Sequence, residues 1–186
     1  MFKKVLCSFG ILTSGTLAYG AMREHKEIIV FDIDNTICHT KSQKRLKNLN
    51  MTPHKKPNFS IDDEGDIRDV WCRPHTEYII PILSKFATLH IFTSATKEYA
   101  DQIIDGMNTR KYFKSVLYRD SWQPHKSKNL DIIEGDSNKK ILIDDRKFNH
   151  YEGNNADTFY HISSYRLYDS LDIELLKFFV KWVFIL

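Results

Sequence analysis

The run from Ile28 to Thr40, IIVFDIDNTICHT, constrains this chain more than any other stretch. Four apolar residues, Ile28, Ile29, Val30 and Phe31, suit a strand buried on both faces, and they lead straight into Asp32, Ile33, Asp34, Asn35 and Thr36. Two carboxylates ending a hydrophobic strand put charge where an open α/β sheet binds ligands, at the carboxyl ends of its parallel strands. Burying both acids there without a task would be costly. Two apart on a backbone that loops out from the strand, they can share a hard divalent cation, which takes oxygen ligands and bridges to substrate phosphate. One acid can then attack phosphorus while the other manages the leaving group's proton.

Composition narrows the setting. A chain of 186 residues is long enough for one domain with a sizeable core and too short for two ordinary ones. Its formal charge of +3, from 27 basic and 24 acidic side chains, is too near balance to predict a nucleic-acid partner. Three cysteines, Cys7, Cys38 and Cys72, are an odd number without metal-ligand spacing, so neither a disulfide framework nor a zinc site is expected. Reducing surroundings suit the folded part.

Residues 1–22 differ from the rest: Lys3 and Lys4 precede an uncharged run from Val5 to Met22, which ends at Arg23. The run reads as an N-terminal membrane anchor over residues 5–22, with Gly10, Ser14 and Ala18 forming a small-residue face. A cleaved targeting signal and a tail packed on the domain are the alternatives. The expected division is therefore an anchor or targeting segment, 1–22, and a folded domain, 23–186.

Lys41 to Asp69 begins basic, turns acidic and shows no sustained apolar period, as expected of a solvated insertion. Within it, Asn58 to Ile61, then Glu64-Gly65, then Ile67 to Trp71 predict a small β-hairpin turning at the glycine and flanking the pocket. Thr76 is placed to cap a helix whose apolar side is Ile79, Ile80, Leu83 and Phe86, with Pro81 within or just past the first turn. Leu89 to Phe92 is a second strand that delivers Thr93, whose hydroxyl can donate to a phosphoryl oxygen. A helix over Lys97 to Met107 and a short strand at Val116 to Tyr118 come next, then Arg119, read as a surface, loop-ordering or phosphate residue. Lys140 to Ile143 is the next strand and ends in a second acid pair, Asp144-Asp145, suited to completing a magnesium cage. A last strand at Phe159 to Ile162 precedes a helix from about Ser170, with Leu171, Leu175, Phe178, Phe179 and Trp182 as its buried side.

Several of these runs resemble one family in order. Asp32-Ile33-Asp34-Asn35-Thr36 looks like the first motif of the haloacid dehalogenase (HAD) superfamily of phosphohydrolases, and Cys38-His39-Thr40 resembles the residues just after that motif in the CTD-phosphatase branch. Cys72 to Tyr78, the run Ile91 to Asp101 (IFTSATKEYAD), Arg119-Asp120-Ser121, Lys128-Asn129-Leu130 and Asp144-Asp145 resemble successive segments of the same FCP/SCP-type protein phosphatases. Lys128 precedes Asp144 by sixteen residues, as in that family, although a shorter loop upstream keeps Lys126 as a rival.

The resemblance implies a HAD-like α/β fold: a Rossmannoid parallel sheet with helices on both faces, a small β-hairpin insertion and no large cap. It implies a Mg²⁺-dependent serine/threonine phosphatase acting on a phosphoprotein or phosphopeptide through an aspartyl-phosphate. Asp32 would be the nucleophile and Asp34 the acid/base. Thr93 and Lys128 would bind phosphate. Asp32, Asp34 and Asp145 would hold the metal, with Asp144 acting through water or orienting Lys128. The alternative is the phosphatase-like receptor subunit of the mitochondrial inner-membrane presequence translocase, which has this fold behind a membrane anchor. Expected settings are the ER or nuclear envelope, or the mitochondrial inner membrane, with a membrane-protein regulatory subunit or a translocase as partner.

Overall fold

A computed structural model of the chain describes residues 27–122, 127–135, 139–150, 157–166 and 171–184. The expected anchor at 1–22, Lys126 and the last two residues lie outside this set. In chain order the elements are β1 (Ile28–Phe31), β2 (Cys38–Ser42), α1 (Gln43–Asn48), β3 (Phe59–Asp63), β4 (Asp66–Cys72) and α2 (Thr76–Leu83). Then come β5 (Thr88–Phe92), α3 (Lys97–Gly106), β6 (Phe113–Leu117), β7 (Lys140–Asp144), β8 (Asp157–His161) and α4 (Glu174–Phe184). Among the described residues, no helix is long and apolar enough to cross a membrane.

Five strands form a sheet in the order β6-β5-β1-β7-β8, and every neighbouring pair is parallel. β1 lies at the centre because all four of its side chains are apolar and at most 2% exposed, each contributing roughly 2 kcal/mol of burial. Alternation along the strand divides them between the faces. Ile29 and Phe31 join the large core under α2, α3 and α4, where the Phe31 ring meets Phe113 and Phe178 edge-on at 6.3 and 6.4 Å. Ile28 and Val30 join a smaller cluster with Leu142, with Leu130, the first residue of a 3-10 turn over Leu130–Ile132, and with Ile133 just after it.

The insertion is more ordered than its composition suggests. β2, β4 and β3 make a second, antiparallel sheet, and α1 follows β2 directly. The hairpin turn falls at Glu64 (φ 53°) and Gly65 (φ 85°), two left-handed residues between paired strands, with the Asp62 carboxylate accepting the Gly65 N–H at 2.6 Å. The sheet docks on the end of α3 because Gly106 has no side chain: a Cβ there would come within 2.4 Å of the Phe59 ring. β2 and α1 escaped notice because β2 buries only Cys38 fully and α1 only Leu46, too few positions to set a period.

Three local expectations are corrected. Thr76 is the first residue of α2 rather than its cap; its hydroxyl donates to the Arg73 carbonyl (2.8 Å), and a left-handed His75 starts the helix. Pro81 is the sixth of the eight residues of α2, not an early one, so its missing N–H leaves the Glu77 carbonyl without its helical donor. Leu171 lies outside α4 and is 88% exposed, since Asp172 accepts the Glu174 N–H (3.1 Å) near the helix start.

Candidate active site

The backbone after β1 turns sharply. The N–H groups of Thr36 and Ile37 both donate to the Ile33 carbonyl, at 3.2 and 3.0 Å, and Asn35 takes a left-handed φ of 59° that an asparagine accommodates. Ile33 and Ile37 are thereby buried, while Asp32 and Asp34 are left at the strand end. Lys128 comes to the same place from far along the chain. Its N–H donates to the Asn149 carbonyl (2.7 Å), and its Nζ donates to Asp32 Oδ1 and to Asp144 Oδ2, both at 2.6 Å. Asp32 Oδ2 accepts the Thr36 hydroxyl at 3.2 Å.

One cation is thus shared by two carboxylates, with Lys128 and Asp144 fully buried and Asp32 5% exposed. Burial raises the Asp32 carboxyl above its usual range, Lys128 opposes this, and Asp144 and Asp34 add to the rise. For Lys128, burial would pull the ammonium down, but Asp32 and Asp144 outweigh it and hold its pKa up. The lysine therefore stays charged in a dry pocket. Asp144 is saturated: Asn149 Nδ2 donates to both of its oxygens at 2.9 Å and the Arg146 N–H to Oδ1 at 2.8 Å.

Asp34 points elsewhere. Tyr99, on α3, donates its hydroxyl to Asp34 Oδ1 at 2.8 Å, and Thr40 on β2 lies 2.7 Å from the same hydroxyl. Burial raises the Asp34 carboxyl, with the Tyr99 hydrogen bond opposing. Asp32 and Asp34 both open onto a cleft of about 670 Å³ bounded by the strand ends and the β2–β4 wall. Thr93 is 1% exposed and accepts the Ala95 N–H at 3.1 Å, leaving its own proton to donate; Ser94 and Ala95 line the cleft beside it.

The acids suit a hard divalent cation. One ligand atom each from Asp32, Asp144 and Asp145 lies within 4.8 Å of the others. Asp145 Oδ2 is held by the Ser164 hydroxyl at 2.5 Å, while Asp145 Oδ1 is buried with no partner among the described residues. The orphaned Asp145 oxygen beside the Asp32 carboxylate, with Asp144 already engaged next to both, offers donors for a hard cation.

Residues 27–181 match the family model described as NLI interacting factor-like phosphatase. The chain belongs to that family. Among relatives of this phosphatase-family chain is the CTD small phosphatase-like protein of Homo sapiens, 25% identical over 124 residues, covering 64% of this chain and 42% of that protein. CTD nuclear envelope phosphatase 1 of Xenopus laevis is 23% identical over 130 residues, covering 64% and 52%. The chain thus spans about half the length of these relatives or less. The solved structure of Fcp1, titled an essential RNA polymerase II CTD phosphatase, superposes with a TM-score of 0.60 at 22% identity, covering 92% of this chain and 52% of that one. This likeness shows the HAD-type fold.

The expected residues Asp32, Lys128, Asp144 and Asp145 converge, and Asp34 and Thr93 border the same strand ends. Four contributors carry no role that their place in the sequence announces. Tyr99 stands inside the quoted IFTSATKEYAD run, yet nothing marks its target as Asp34. Asn149 and Ser164 are single polar residues in unpatterned loops. Arg73, wholly buried, donates to the Thr36 carbonyl (2.7 Å), to Asp172 (3.0 Å) and to the Ser163 carbonyl, tying the first loop to the chain's end.

Proposed function

We propose that the chain is a Mg²⁺-dependent protein serine/threonine phosphatase that works through an aspartyl-phosphate on Asp32. The observation that carries this reading is the Asp32 carboxylate itself, set at the end of the central strand and held on its two oxygens by Lys128 and Thr36. So fixed, the carboxylate meets a phosphoryl group without searching rotamers. Asp32 forms a bond to phosphorus as the bond to the serine or threonine oxygen breaks. Asp34, steadied by Tyr99, gives its proton to the departing oxygen. It then takes a proton from the water that attacks phosphorus, and the Asp32–phosphorus bond breaks to release phosphate. Thr93 and Lys128 hold the phosphoryl oxygens.

Asp32, the Asp34 main-chain carbonyl and Asp145 would hold the metal, with Asp144 committed to orienting Lys128. When bound, Mg²⁺ supplies the positive charge that offsets repulsion between Asp32 and the phosphate and polarises the phosphoryl oxygens. Among the described residues only the small β2–β4–β3 sheet flanks the strand ends, which suits a polypeptide substrate. The anchor-like run at residues 5–22 and the similarity to a nuclear envelope phosphatase support a membrane-associated setting, and nothing observed favours the presequence-receptor reading.

Phosphate release from p-nitrophenyl phosphate and a phosphoserine peptide, with and without Mg²⁺, tests the reading beside an Asp32→Asn variant. Turnover that needs the metal and vanishes in the variant is expected. Turnover retained by Asp32→Asn, or silence from the folded, Mg²⁺-supplied protein on both substrates, would contradict it.

A further inference from the structure

Beyond the reaction, the cleft carries an unexplained charge pattern. Its walls present five cations, Lys41, Arg45, Arg68, Arg119 and Arg146, against two wall carboxylates, Asp63 and Glu64. Most of these have work inside the fold. Arg68 is paired with Asp63 at 2.8 Å and Asp66 at 3.4 Å. The Arg119 Nε donates to the Ser94 carbonyl at 2.8 Å, and the Arg146 guanidinium sits 5.8 Å from the centre of the Phe148 ring.

Lys41 and Arg45 differ, because neither makes an ion pair among the described residues. They lie one helical turn apart in sequence, Lys41 near the end of β2 and Arg45 in α1, on the same wall of the cleft. The nearest acid by register, Asp69 opposite Lys41, is taken on one oxygen by Gln43 (2.8 Å) and Ser60 (2.7 Å). Two cations without ion pairs, against Glu64 as the one wall carboxylate likewise unpaired among the described residues, leave this wall net positive and favour negative charge on whatever lies across it.

We propose that this wall is an acidic-peptide subsite: the substrate is a phosphoserine or phosphothreonine peptide with acidic residues beside the phosphorylated one, which Lys41 and Arg45 bind. The proposal rests on the phosphatase reading for its scissile phosphate, and a binding readout separates the two. The probes are two fluorescein-labelled peptides carrying a non-hydrolysable phosphonate in place of phosphoserine, one flanked on both sides by glutamate and one by neutral residues. Their affinities for the full chain are read by fluorescence anisotropy in Mg²⁺.

The acidic peptide is expected to bind roughly ten-fold tighter at low salt, as two partly screened charge pairs allow. That advantage is expected to collapse at about 1 M salt, where the screening length is roughly 3 Å. A Lys41→Ser/Arg45→Ser double variant should bind the two peptides alike. Equal binding by the wild type, or a preference that survives in the double variant, would overturn the subsite even if both phosphopeptides are turned over. Binding to phosphatidylserine vesicles with no discrimination between the peptides would also overturn it, in favour of a lipid surface. A clear acidic preference in a protein that hydrolyses neither peptide nor p-nitrophenyl phosphate would uphold the subsite and bring down the phosphatase reading.

Discussion

The floor of the cleft and its wall use charge in opposite ways. On the floor, Lys128, Asp32 and Asp144 are buried, and the lysine answers each acid at 2.6 Å. On the wall, Arg68 and its partners are about a third exposed, and Lys41 and Arg45 have no partner charge among the described residues. Buried charges need a counter-charge from the fold or from a bound ion, since each unmatched one costs several kcal/mol, whereas exposed charges can wait for a ligand. The floor is therefore rigid and committed to one chemistry, and the wall is where selectivity can be adjusted.

The floor depends most on Lys128. A Lys128→Met variant leaves Asp32 and Asp144 buried without their cation, and should lose about 3–5 kcal/mol of stability by urea titration. Tyr99→Phe is a milder test on the floor's edge. Without the hydroxyl that holds Asp34, kcat on a phosphoserine peptide should fall roughly ten- to hundred-fold, and less on p-nitrophenyl phosphate, whose leaving group hardly needs an acid. Equal losses on both substrates would reduce Tyr99 to a packing role.

At the wall, Arg68→Ala should change stability by less than about 1 kcal/mol in the same titration, because its ion pairs are screened by solvent. A loss as large as that of Lys128→Met would erase the distinction. A further effect concerns pH. His90 on β5 is 2% exposed, with Nδ1 2.7 Å from the Ser115 hydroxyl and Nε2 unpartnered among the described residues. Burial lowers its pKa from 6.5 to about 4, with Lys114 and Lys140 contributing. The unfolded chain therefore binds a proton that the folded one refuses, so the His90 contribution is whole above pH 6.5 and is lost as pH falls toward 4. Urea midpoints measured across that window should fall less steeply in His90→Gln.

The floor was largely legible in the sequence and the wall was not, for a physical reason. An apolar run such as Ile28–Phe31 that breaks into Asp32 announces both a buried strand and a charge at its end, and Ile141–Ile143 before Asp144 repeats the signal. The two are neighbours in the sheet, in register from Ile28 opposite Lys140, so their acids had to meet. Lys128 is implied only by the family resemblance, with Lys126 as its rival, because a lone lysine in an unpatterned loop carries no signal of its own. β2 and α1 gave no such sign, because a half-exposed strand and a six-residue helix bury too little to impose a period. Arg73 was hidden for another reason: a buried arginine is recognised by what it donates to, and Thr36 and Asp172 are 37 and 99 residues away in sequence.

Every role proposed for the floor depends on a bond between Asp32 and phosphorus. Turnover of a phosphoserine peptide can be quenched in mid-reaction, any acyl-phosphate reduced with borohydride, and the peptide spanning residues 27–41 read by mass spectrometry. Reduction is expected to convert Asp32, and not Asp34, to homoserine, and to do so only when substrate and Mg²⁺ are both present. Unmodified Asp32 during sustained phosphate release, or homoserine at Asp34, would contradict the account.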